Sequence, residues 1–200
     1  MPSSLHGVIL AGGISSRMGS PKALMPLEGS FFLHHVYAAL CEAGVKPVHI
    51  VVNLGLLNAL DAHLDMFREA KFVANTEPAR GQIYSLQMGL TAARDGGAPG
   101  AMVALVDQPA VKVESMKALR TAFIASGGTK IVLPRVGGKA GHPYIIPQML
   151  FPQFIDASAE TTARDLMHEH EGEIIYCDLD DHGLLEDFDT PEDMAKLGIK

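Results

Sequence analysis

The chain has 200 residues, of which 48% are hydrophobic and 20% charged, and a formal net charge of −7. That length suits one domain with a proper core, and the acidic balance excludes a general nucleic-acid binder, which needs a basic face. The two cysteines, Cys41 and Cys177, supply neither a disulfide framework nor a four-ligand zinc site, and read as buried thiols of a reducing compartment.

The elements alternate along the chain. Residues 6–10 read as a buried strand, 31–44 as an amphipathic helix stopped at Gly44, and 47–52 as a strand. Residues 56–67 read as a helix, 71–75 as a short strand, 82–94 as a helix, 101–106 as a strand and 113–125 as a helix. A strand follows at 130–136, a turn at Gly137, Gly138 and Gly141, and an extended "PYIIP". Residues 161–170 read as helical, 173–179 as a strand and 191–197 as a last helix. Such alternation predicts a mostly parallel sheet covered on both faces. The N-terminus shows no secretory pattern and no apolar run reaches the roughly 18 residues of a membrane span. The expected location is the cytoplasm, with no membrane partner.

Ligands of open parallel sheets bind beyond the carboxyl ends of the strands. Residues 10–22, Asn75 and Asp107 all fall at such ends. The first of these segments, "LAGGISSRMGSPKAL" (10–24), carries Gly12 and Gly13, whose backbone N–H groups can form an anion nest. Arg17 and Lys22 add two positive charges. The spacing is neither a Walker A motif nor G-x-G-x-x-G.

This stretch resembles the signature loop of the molybdenum-cofactor nucleotidyltransferases, L-A-[AG]-G followed by S-x-R-M-G-x-x-K. It matches at Leu10, Ala11, Gly12, Gly13, Ser16, Arg17, Met18, Gly19 and Lys22. Four later segments are similar in the same order: "NTEPARGQIYSLQMGL" (75–90), "LVDQPAV" (105–111), "GKAGHPYIIP" (138–147) and "DFDTPEDM" (187–194). The fold this implies is α/β, a Rossmann-like three-layer α/β/α sandwich of the nucleotide-diphospho-sugar transferase type. It would be one domain over 1–200, with a nucleotide-binding half to about residue 110 and an acceptor half beyond it.

The resemblance implies roles residue by residue. Leu10, Ala11, Gly12, Gly13, Arg17 and Lys22 would hold the nucleotide phosphates, with Asn75 and Ser85 near base or ribose. Asp107 would bind Mg²⁺, with Asp189 as a second metal contact and Asp187 in reserve. His142 would face the acceptor. Each residue also has a plainer reading. Asp107 can cap a turn before Pro109. Asp189 or Thr190 can cap a helix opened by Pro191, Ser85 can be satisfied within its own helix, and Gly-His-Pro can merely shape a loop. "HEHEGE" (168–173) is read as a solvated helix end, because His168 and His170 do not share a helix face. His34 and His35 read as structural.

The implied reaction moves a nucleotidyl group from an NTP to the phosphate of molybdopterin, releasing pyrophosphate. Arg17, Lys22 and the metal on Asp107 would neutralise charge, and a client molybdoenzyme would receive the product. Gly-His-Pro and the Asn75–Gly89 segment favour CTP, while "LAGG" and "SPKAL" lean toward GTP; the expectation is CTP. The rivals are a nucleotidyltransferase for another phosphorylated small molecule, such as a sugar phosphate, and a nucleotide-binding cofactor chaperone without turnover.

Overall fold

The structure, a computed structural model, describes residues 4–13, 21–188 and 193. In chain order it contains β1 (His6–Ala11), β2 (Pro26–Leu27), β3 (Ser30–Phe31), α1 (Phe32–Glu42), β4 (Val48–Asn53), α2 (Leu54–Ala59) and β5 (Ala70–Asn75). These are followed by α3 (Gly81–Asp95), β6 (Gly100–Leu105), α4 (Val113–Ala125), β7 (Ile131–Val136), β8 (Lys139–Ala140) and β9 (Tyr144–Pro147). The described chain closes with α5 (Phe151–Ile155), α6 (Ala163–Glu169) and β10 (Ile174–Asp178).

The main sheet has the order β10-β7-β9-β6-β1-β4-β5, with β8 paired to β7. β1 lies parallel between β4 and β6, β5 is parallel to β4, and β10 is parallel to β7. β9 runs antiparallel to both β6 and β7. The expected parallel sheet is therefore correct in the main and broken at "PYIIP", which inserts as a reversed strand. β2 and β3 form a separate two-stranded hairpin.

The strand sequences show why the sheet is covered on both sides. Side chains alternate faces along a strand. Ile9 and Ala11 of β1, Val48, Ile50 and Val52 of β4, and Met102 and Ala104 of β6 enter one core with Leu33 and Leu40 of α1 and Leu119 of α4. Val8 and Leu10, Val51, and Ala101 and Val103 enter the other, with Leu86 and Leu90 of α3, Phe154 of α5 and Leu166 of α6. With both faces apolar, the strands read as continuous apolar runs. A fully buried Leu or Phe contributes roughly 1.5–3 kcal/mol by leaving water.

Three expectations are adjusted. The helix expected over 56–67 is α2 followed by a 3₁₀ segment, Asp61–Phe67. α2 starts at Leu54, before the expected residue 56, because the Asn53 side chain caps it by accepting from the Leu56 N–H at 2.8 Å. The expected helix over 191–197 lies, but for residue 193, outside the described residues. Cys41 and Cys177 are free but only half-buried, and that burial pushes both thiols up. Among the described residues no helix is long and apolar enough to cross a membrane.

Candidate active site

β1 has a forward crossover to β4 on one side and receives β6 on the other, which makes a topological switch point. A cavity of about 900 Å³ lies over the carboxyl ends of β1, β4, β5 and β6. Its wall includes Leu10, Ala11, Gly12, Gly13, Lys22, Asn75, Ser85 and Asp107. The three sequence segments expected at strand ends thus meet in one place. Arg17 and Asp189 lie outside the described residues.

Each of these side chains is set by local structure. Asn75 ends β5 and is 1% exposed; its Nδ2 donates to Ser85 Oγ at 3.0 Å, and its Oδ1 accepts from the Glu77 N–H at 2.8 Å. This buried pair supports the loop from beneath. A Cβ at Gly12 would lie 3.1 Å from Ser85 Oγ, so glycine lets the backbone rest on the pair. Asn53 closes the other side, its Nδ2 donating to the Gly13 carbonyl at 3.4 Å. Lys22 opens a 3₁₀ turn, Lys22–Leu24, after Pro21. Its Nζ donates to Asp107 Oδ2 at 3.3 Å, with both side chains roughly one-quarter exposed. The turn delivers the ammonium, and the end of β6 delivers the carboxylate.

Asp107 is tied to a segment 80 residues further along. Its carbonyl accepts from the Phe188 N–H at 3.0 Å, and the adjacent Gln108 donates from Nε2 to Asp187 Oδ1 at 2.8 Å. Gln108 is 6% exposed and its Oε1 is buried without a hydrogen-bond partner. Asp181 anchors this segment further back. Buried at 2% exposure, it accepts from the Lys112 N–H at 2.9 Å, from Ser115 Oγ at 2.6 Å and from the Gly183 N–H at 3.1 Å. A carboxylate satisfied by three donors is well compensated for burial.

Because β9 is reversed, its first end reaches the same edge and brings His142 with it. The His142 N–H donates to the Leu184 carbonyl at 3.0 Å. A Cβ on Gly141 would run into that same carbonyl, so glycine at position 141 is dictated by close backbone packing. The His142 ring lies 5.0 Å from the Tyr144 ring. Burial lowers its pKa; Asp187 and Asp107 oppose that shift, and Arg164 reinforces it. The imidazole is therefore neutral at pH 7 and senses both carboxylates. His142 belongs to a second cavity of about 650 Å³, whose wall also holds Tyr144, Arg164 and Tyr176. Leu10, Gly81 and Gln82 belong to both walls.

The donor chemistry at Asp107 suits a hard divalent cation. Asp107 and Asp187 are carboxylates brought to one strand end, and Mg²⁺ uses one or two carboxylates completed by phosphate and water oxygens. Among the described residues no group of three or more His, Cys, Asp or Glu side chains forms a self-sufficient metal cage. Residues 7–174 match the model of the MobA-like NTP transferase domain.

The chain belongs to the MobA-like NTP transferase domain family. Curated relatives include a probable molybdenum cofactor guanylyltransferase of Rhodopirellula baltica, 36% identical over 136 residues, which are 66% of this chain and 61% of the relative. The aligned region thus spans about three-fifths of that relative's length. The purine catabolism protein PucB of Bacillus subtilis is 27% identical over 196 residues, covering 94% of this chain and 93% of PucB. Among solved structures, Rv0371c of Mycobacterium tuberculosis H37Rv superposes with a TM-score of 0.80 at 23% identity, covering 98% of both chains. Molybdopterin-guanine dinucleotide biosynthesis protein A of Archaeoglobus fulgidus gives 0.68 at 18% identity, over 96% of each chain. At these identities the structural likeness shows the fold alone. It agrees with the α/β sandwich expected of a MobA-like NTP transferase domain.

The sequence pointed to Asp107, Lys22 and the glycine loop, but not to Gln108, Asp181 or Tyr176. The signals of these three are weak because each depends on a partner far away in the chain. The second cavity also changes the meaning of Gly-His-Pro, which lines that cavity and not the first.

Proposed function

We propose that this chain transfers the nucleotidyl group of an NTP to the phosphate of a molybdopterin-type acceptor, with GTP as the donor. The observation that carries the reading is the Lys22–Asp107 pair on the wall of one cavity, with a second, largely apolar and aromatic cavity sharing that wall at Leu10. Donor and acceptor can then meet across one strand end. The lining of the second cavity favours a heteroaromatic acceptor over a sugar phosphate. The guanine preference follows the Rhodopirellula baltica relative, a probable molybdenum cofactor guanylyltransferase, and a molybdenum cofactor guanylyltransferase of Xanthomonas euvesicatoria, 51% identical over 47 residues. It replaces the CTP expectation, which rested on Gly-His-Pro and the Asn75–Gly89 segment.

In this reading an oxygen of the acceptor phosphate attacks the α-phosphorus. A new P–O bond forms, the bond from the α-phosphorus to the bridging oxygen breaks, and pyrophosphate leaves with that electron pair. A phosphate monoester, with a second pKa of about 6, is already dianionic at pH 7, so no side chain need act as base. The chain's task is positioning and charge neutralisation. The Gly12–Gly13 backbone and Lys22 receive phosphate oxygens, and Arg17 would grip them bidentately. Neutral His142 adds no charge and offers a hydrogen bond on the acceptor side. Asp107, with Asp187 or Asp189, would hold a divalent ion that screens the phosphates when bound. A crystal structure of Rv0371c is described as a complex with manganese, which supports a divalent requirement.

The test is pyrophosphate release with molybdopterin-type acceptor, Mg²⁺ or Mn²⁺, and each of GTP, CTP, ATP and UTP in turn. Release with GTP supports the proposal, and release with CTP alone returns the base to cytosine. Silence with all four, with activity on a sugar or alcohol phosphate, removes the acceptor assignment.

A further inference from the structure

Of the side chains around the second cavity, Tyr176 is the one whose setting the activity described above does not explain. It sits in the middle of β10, at the edge of the sheet among the described strands, and is 37% exposed. A large aromatic ring on an edge strand costs exposure of apolar surface and needs a reason. The Arg135 guanidinium lies over the ring at 4.4 Å from its centroid. Arg135 is itself held in a fork by Asp178, with Nε to Oδ1 at 3.0 Å and Nη2 to Oδ2 at 2.9 Å. Tyr176 belongs to the cavity wall and Arg135 does not. The ring thus lines the cavity while the forked guanidinium lies against it.

We infer that Tyr176 is a stacking platform for the planar heteroaromatic ring of the acceptor, held in place by Arg135 and Asp178. The inference rests on the acceptor reading above and names the group that enforces it. An isolated surface tyrosine would lose rotamer freedom when a ligand stacks on it. Here the forked Arg135–Asp178 pair and the cation–π contact restrain the ring beforehand. Leu133 and Ile174 line the same wall, so a flat ligand against Tyr176 lies on apolar surface, while Arg164 remains at the polar part of the wall for an anionic tail. A saturated sugar ring has no π-face to match this platform.

Stacking on a tyrosine is worth on the order of tenfold or more in affinity. Tyr176→Leu keeps apolar volume and removes the ring; it should raise KM for the acceptor at least tenfold, with kcat and KM for the NTP near wild type. Tyr176→Phe keeps the ring and should restore wild-type KM. Arg135→Met should give a smaller rise in the same direction. As a direct probe, titration of the fluorescent pterin neopterin should be quenched by wild type and Tyr176→Phe but not by Tyr176→Leu. A Tyr176→Leu enzyme with wild-type KM for the acceptor, or neopterin unquenched by an otherwise active wild type, overturns the platform and leaves the proposed reaction standing. Wild-type protein that neither quenches neopterin nor releases pyrophosphate with the molybdopterin-type acceptor overturns both.

Discussion

Acid should loosen this fold through one buried pair. His6 of β1 and His49 of β4 are 4% and 1% exposed and share a hydrogen bond, Nδ1 to Nε2, at 3.1 Å. Burial, then the neighbouring His6, then Lys71 lower the pKa of His49 from 6.5 to about 4. Burial and Lys71 also lower that of His6. Between these values the unfolded chain binds a proton that the folded chain refuses, so stability rises with pH and is lost as pH falls from about 6.5 toward 4. Each pH unit of such a shift is worth about 1.4 kcal/mol, which puts the loss for His49 alone at about 2 kcal/mol by pH 5 and about 3 kcal/mol at its limit. The assay is urea unfolding at pH 7 and pH 5 for wild type and His49→Gln, which cannot titrate. The variant should start less stable at pH 7 and lose about 2 kcal/mol less on acidification. Equal losses in both proteins would refute the reasoning and move the acid sensitivity elsewhere.

Three further outcomes are expected. Lys22→Ala should lower kcat on the order of a hundredfold, with melting changed little because a partly exposed pair contributes at most about 1 kcal/mol; stopped kinetics and calorimetry on the same sample separate the two. Asp107→Asn keeps shape and removes charge, so metal-dependent pyrophosphate release should vanish while the circular dichroism stays native; residual activity with unchanged Mg²⁺ dependence would exclude Asp107 as the metal acid. Asp181→Ala strands three buried donors, at about 1–3 kcal/mol for a group left unsatisfied, and should lower the denaturation midpoint clearly; a wild-type midpoint would mean water replaces the carboxylate.

The sheet was legible because its central strands, β1, β4 and β6, are mostly buried apolar runs, and helices follow most of the strands. Strand direction was not legible at Tyr144–Pro147, since a four-residue apolar run reads the same both ways; pairing with Gly100–Val103 decides it. The candidate site was legible where a residue type and a strand end coincide, as at Asp107. Gln108 and Asp181 carried no such signal. Their partners, Asp187 and Lys112, are 79 and 69 positions away, and local periodicity is blind to that distance. The nucleobase was the least legible feature, because the segments thought to choose it, Gly-His-Pro and Asn75–Gly89 against "LAGG" and "SPKAL", pointed to different bases.

The ties across residue 110 bear on how such enzymes can be recombined. A chimera cut there would take Gln108 from one parent and Asp187 from the other, and the Asp107 carbonyl would meet a foreign segment in place of the Phe188 N–H. The second cavity would also have its wall divided, since Leu10 and Gly81 come from the first parent while His142 and Tyr176 come from the second. Acceptor preference is therefore not a cassette that can be exchanged by itself. Grafts that carry residues 181–188 together with the Asp107 turn preserve the stitching, and the natural unit of exchange is this discontinuous pair of segments.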